Sequence, residues 1–185
     1  MIKFRFMLVL FLIFSSQSVY AANKCNKKTL DADIVVNCFK YLYFKKYDQL
    51  WGFLNKENKH LVMHGDSKNI SKHLTIVNVG GGNAEYLEHI HEFVENSLVK
   101  NTNQFFGALL LLDKETLDRV FYILSQPIYV SYESLISILK NNADVVEYQD
   151  IHKNIKKAIN KLDKSNKEIM KRKKEHEKNE WDSYY

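Results

Sequence analysis

Between Phe105 and Leu139 the chain reads FFGALLLLDKETLDRVFYILSQPIYVSYESLISIL, the densest apolar material outside its first residues, and any compact fold must cover it. The stretch divides at its own punctuation. Gln104 to Leu112 is apolar nearly all round, as expected of a short helix buried on most sides, and Gly107 would let a neighbour approach closely. Asp113 suits the N-cap of a second helix, because its carboxylate can accept from the unsatisfied amides of Glu115 or Thr116. Leu117, Val120, Phe121 and Leu124 then recur at helical spacing. Pro127, the only proline in the chain, ends that helix, since it cannot donate a backbone hydrogen bond and pushes Gln126 towards extended geometry. Ser131 can cap a third helix with Leu135, Ile136 and Leu139 inward and Asn141-Asn142 at its end. Helices this short are unstable alone, so their stability must come from packing. The expected fold is all-α: a bundle of about six short-to-medium helices and a long, charged C-terminal helix.

Residues 1–22 read as a secretory signal peptide. Lys3 and Arg5 supply the charged start, Phe6 to Phe14 is an unbroken apolar run, and Val19-Tyr20-Ala21-Ala22 offers a small-residue cleavage site. The run is short for a membrane span. The expected location is the periplasm. The two cysteines, Cys25 and Cys38, most simply form a disulfide there, because an oxidising compartment preserves such a bond and the spacing is far from that of a C-x-x-C redox pair.

The net charge of +5 is unevenly placed. Residues 23–152 carry 14 basic and 16 acidic side chains, whereas residues 153–185 carry 11 and 6. A body near neutrality with a basic extension argues against a nucleic-acid-binding surface spread over the fold. The expected organisation is a helical domain over 23–170 and a charged extension over 171–185.

Asp31 to Asn55 reads as one helix, capped by Asp31 or Asp33, and it is very aromatic. Phe39, Tyr41, Tyr43, Phe44, Tyr47, Trp51 and Phe53 exceed what one buried stripe needs. A helix packed on two sides accounts for most of them; Tyr43, Tyr47 and Trp51 are the candidates for a partner-binding surface, since tyrosine and tryptophan are preferred interface anchors. His60 and His64 would share a helix face at i and i+4, but a metal site needs a third ligand, and only Asp66 or His73 could supply it by folding back. Surface histidines are the simpler reading, and no metal or other cofactor is expected.

The segment VNVGGGNAEYLEHI resembles the glycine-rich first motif of Rossmann-type methyltransferases. That resemblance implies a strand entering a glycine turn, with Gly80, Gly81 and Gly82 close to the cofactor and FFGALLLLD as a second strand ending in Asp113. Gly82 and Asp113 are farther apart than the ~20 residues such an acidic partner requires, and the rest of the chain is too helical to supply the other strands. The glycines are therefore read as a joint, with Asn83 capping the next helix.

That helix, Ala84 to Val99, should turn Tyr86, Leu87, Ile90, Phe93, Val94 and Leu98 inward and Glu85, Glu88, Glu92 and Glu95 outward. Glu88 and His91 repeat the Glu-x-x-His spacing of carboxylate-bridged metal sites. It occurs once where a two-metal bundle needs two, and His89 and His91 lie ~200° apart on the helix.

From Ala143 to Glu180 the chain reads as one helix, with a seam through Tyr148, Ile151, Ile155, Ala158, Leu162, Ser165 and Ile169. The seam is short, so packing on the chain's own body is favoured over a homodimer through this helix. Beyond it, Lys171, Arg172, Lys173 and Lys174, followed by Trp181, Tyr184 and Tyr185, could engage an anionic membrane surface.

No serine, threonine or cysteine has the context of a nucleophile, and the paired carboxylates fall on faces expected to be solvated, where unperturbed acids are poor catalysts. The expectation is a non-catalytic, exported interaction protein that binds or neutralises a partner protein, in the manner of an immunity protein or inhibitor. Membrane association through the basic tail is the alternative, and a hydrolase without a recognisable motif the third reading.

Overall fold

The computed structural model describes residues 25–80 and 83–182, the last seven by backbone alone. Residues 1–22, with the signal-peptide reading, and Gly81, Gly82, Tyr184 and Tyr185 lie outside the described residues. The architecture is all-α, 83% helical and without strands among the described residues. The chain falls into two compact units, residues 1–56 and 57–185.

The first unit holds α1 (Ala32–Lys45) and the start of α2 (Tyr47–His64). Asp31 caps α1 by accepting from the Ile34 amide at 2.8 Å. Cys25 and Cys38 are disulfide-bonded, with their Cα atoms 5.5 Å apart. The bond ties the segment before α1 to the helix, and the Gln49 side chain holds the same segment by donating to the carbonyls of Lys27 (2.8 Å) and Lys28 (3.1 Å). The single helix expected over Asp31 to Asn55 is instead broken at Lys46, whose backbone (φ −142°, ψ 41°) leaves the helical region. The break wastes no donor: the Lys46 amide closes α1 on Leu42, and its carbonyl opens α2 by accepting from Leu50. No residue there is a helix breaker, and nothing in the local sequence accounts for it.

The second unit begins within α2 and continues through α3 (Ser67–Leu74), a 3₁₀ turn (Thr75–Asn78), α4 (Ala84–Lys100), α5 (Thr102–Leu109), α6 (Lys114–Leu124), α7 (Tyr132–Ala143), a second 3₁₀ turn (Val146–Ile151) and α8 (His152–Asp182). Local chemistry sets most of the starts. Asp66, Asn83, Asp113 and Ser131 each accept a backbone amide three residues on, satisfying a donor that the first helical turn leaves open.

Helix α3 packs on α5, α4 lies against α5 and α6, and α8 packs along α7 and α6. The α3–α5 contact is close because Gly107 has no side chain: a Cβ there would collide with the Ser67 hydroxyl, which with its own amide donates to Gln104 at 2.9 Å. Phe105, Phe106, Ala108 and Leu109 are buried, so the start of the apolar stretch after Gln104 does form core, but the helix ends at Leu109, and Leu110 and Leu111, expected within a helix buried on most sides, are exposed. Of the residues expected on the inner face of α4, Leu87 is exposed and the others are buried.

The two strands that the glycine-rich resemblance implies are absent among the described residues. Val77 and Asn78 are in a 3₁₀ turn, and Phe105 to Leu109 is helical. Gly80 has φ +76°, a conformation costly for any residue with a Cβ. The bare glycine also makes room for the Tyr86 ring, whose hydroxyl donates to the Ile76 carbonyl at 2.9 Å.

The long helix expected from Ala143 starts only at His152. Tyr148 sits in the preceding 3₁₀ turn, with φ −107° and ψ 16°, where its ring stacks on Phe106 at 4.8 Å. Ile155, Ala158, Ile159 and Leu162 are buried within the chain itself, whereas Ile169 and Met170 are exposed.

Candidate functional site

In the first unit the aromatic residues form a continuous row. Phe39 stacks on Tyr43 at 5.8 Å, Tyr43 meets Phe44 and Tyr47 edge-on at 5.2 and 5.8 Å, and Tyr47 meets Trp51 at 5.6 Å. The spacing i, i+4 carries the row along α1, and the Lys46 break passes it to α2 without loss of contact. Phe44 is 69% exposed and Tyr47 42%, while Trp51 is only 8% exposed. Trp51 therefore stands at the buried end of the row; the accessible part is Tyr43, Phe44 and Tyr47. Phe44, absent from the expected partner-binding set, is its most exposed member.

The second unit has a differently built surface. Glu95 was expected on the solvated face of α4, yet it is 0% exposed. Its carboxylate accepts from the amides of Ile128 (2.9 Å), Tyr129 (2.8 Å) and Val130 (2.9 Å), and His91 Nδ1 lies 3.0 Å away on the same helix. Burial alone would raise the Glu95 pKa; the imidazole and the three amides outweigh it and hold the carboxyl below its usual range. One turn-pair earlier on that face, Glu88 accepts from the Tyr129 hydroxyl at 3.0 Å. The loop after Pro127 is thus fastened by two carboxylates and holds the side chains of Ile128 and Tyr129 out in solvent. One signal for this arrangement was available in the sequence: backbone amides following a proline need acceptors, and Glu88, His91 and Glu95 recur at i, i+3 and i+7.

The remaining candidates are dispersed. The His60 and His64 rings lie 5.9 Å apart, and no group of three or more His, Cys, Asp or Glu among the described residues is placed to hold a metal. His73 is buried, bonded to Asn58 at 2.8 Å and edge-on to Phe93; burial pushes its pKa down to about 4. Asp66, the other residue that could have supplied a third ligand by folding back, caps α3. Lys171, Arg172, Lys173 and Lys174 are exposed along α8, Lys171 lying 3.7 Å from Glu175; Trp181 is described by backbone alone. No helix among the described residues is long and apolar enough to cross a membrane. A shallow depression of about 530 Å³ on α6 is lined by Lys114, Glu115, Asp118, Arg119 and Tyr122. Arg119 and Glu115 pair with each other at 3.2 Å.

Comparison with protein-family models, with curated proteins and with solved structures gives no match to this chain.

Proposed function

We propose that the protein is an exported, non-catalytic binding protein whose target is another protein met in the periplasm, with an immunity or inhibitor role as the finer form of this reading. The single observation that carries it is the accessible aromatic row of Tyr43, Phe44 and Tyr47. Large rings with few rotatable bonds lose little entropy on docking and bury much apolar area, which is why such residues concentrate binding energy at interfaces. The disulfide, bonding α1 to the segment before it, supports export into an oxidising compartment.

A photo-crosslinker at Lys40, carried by the exported protein in its native envelope fraction, tests the reading. One defined protein adduct is expected, and the triple variant Y43A/F44A/Y47A should weaken its capture at least ~10-fold with the helical circular dichroism unchanged. Equal capture by the folded triple variant would count against the aromatic row as the binding surface.

A further inference from the structure

The lysines in the first half of α8 fall on one side of the helix. Lys153, Lys156, Lys157, Lys161, Lys164 and Lys167 are all exposed, and at ~100° per residue they share an arc of roughly 140°. Asn160 is the one other residue between 153 and 167 in that arc. Ile155, Ala158, Ile159 and Leu162, on the opposite side, are buried, and α8 packs there on α7 and α6. The buried stripe therefore fixes the direction of the charged one, outward. Lys171 and Lys174 continue the line past Glu168, giving a basic edge roughly 30 Å long.

Such an edge is poor design for mere solubility. Neighbours three and four apart, as in Lys153–Lys157, Lys157–Lys161, Lys161–Lys164 and Lys164–Lys167, repel one another and weaken the helix. Alternating acids would solvate the face equally well and support it, as Glu175 does beside Lys171 at 3.7 Å. Asp163, just outside the arc, lies 3.6 Å from Lys140 on α7.

We propose that this lysine edge lies flat on an anionic phospholipid surface. A straight row of like charges about one helical turn apart matches a plane of negative headgroups, and each lysine near such a plane adds to the attraction. The row contains no arginine, whose planar fork suits bidentate phosphate and base recognition, and the exposed ring beside it, Tyr122 on α6, is covered by Lys161, whose Nζ lies 5.7 Å from the ring centre; the lack of arginine favours a bilayer over a nucleic acid. Because the apolar side of α8 is already covered by its own chain, docking is electrostatic and without insertion, and so sensitive to salt. Six of the edge's lysines, Lys153 to Lys167, precede the Lys171–Lys174 cluster, of which the edge takes in only Lys171 and Lys174, and none of them belongs to the aromatic row.

Co-sedimentation of the mature chain with vesicles tests the proposal. Vesicles of equimolar phosphatidylglycerol and phosphatidylcholine should bind it near 0.1 M salt and release it at about 0.5 M, and pure phosphatidylcholine should not bind it. The variant K157Q/K161Q/K164Q/K167Q, which keeps helix propensity, should lower partitioning on the order of 100-fold or more, and K171Q/R172Q/K173Q/K174Q should lower it less. The proposal is overturned by equal partitioning of the folded stripe variant, by equal binding to phosphatidylcholine alone, or by tighter binding to a DNA or RNA oligonucleotide than to the anionic vesicles at the same salt.

Discussion

Four donors converge on the Glu95 carboxylate, three backbone amides from one loop and one imidazole, and this concentration makes it the side chain whose loss should be felt most. In E95Q one of the two oxygens becomes an NH₂ facing amides that also need acceptors. We expect a loss of about 2–4 kcal/mol in urea unfolding, with faster hydrogen exchange at Ile128, Tyr129 and Val130. Because the folded-state pKa of Glu95 is depressed, its stabilisation is complete above the ordinary glutamate range and is lost as pH falls through the folded value. His73 acts at higher pH. Buried and neutral, with its pKa pushed down to about 4, it resists a proton that the unfolded chain takes up near ~6.5. Stability therefore falls as pH drops from that value towards the folded one, by roughly 3 kcal/mol over the window. Urea titrations at the two ends of the window should show this drop in the parent and a smaller one in H73Q.

At the scale of elements, two glycines give opposite expectations. Gly80 combines φ +76° with the Tyr86 ring packed where a Cβ would project, so G80A should destabilise by about 2 kcal/mol or more and loosen the joint before α4. Gly52 lies inside α2 with nothing within 4 Å of its would-be Cβ, so G52A should raise stability by up to ~1 kcal/mol through better helix propensity. Thermal unfolding of the two variants beside the parent checks both, and a stabilising G80A would show that the joint is not held as described. The short helices around these positions depend on such joints: α3 and α5 have 8 residues each, too few to be stable outside tertiary packing.

At the scale of the whole molecule, the disulfide joins residues 13 apart in sequence. Closing so short a loop should contribute roughly 3 kcal/mol in the chain-entropy account. The paired variant C25S/C38S should lose about that much. Intact mass of the exported protein should correspond to a start at Asn23 and to two hydrogens fewer than the dithiol; two free thiols in that material would contradict both the bond and the export reading. Much of the architecture was legible beforehand, for a physical reason. Caps at Asp31, Asn83, Asp113 and Ser131 use partners three residues away, and helical periodicity is a property of neighbouring turns, so both are written locally in the chain. The burial of Glu95 was not, because its amide donors come from a loop 33 to 35 residues farther along, and a helical wheel sees only the helix. Likewise Tyr148 stacks on Phe106 in a 3₁₀ turn where the seam pattern alone continues a helix. The caps, the periodicity of most helices and the basic bias of the C-terminal helix were thus settled by the order of residues, whereas where the chain tightens into a 3₁₀ turn, which charged group it buries and which aromatic rings it leaves in water fell to contacts between segments distant along the chain.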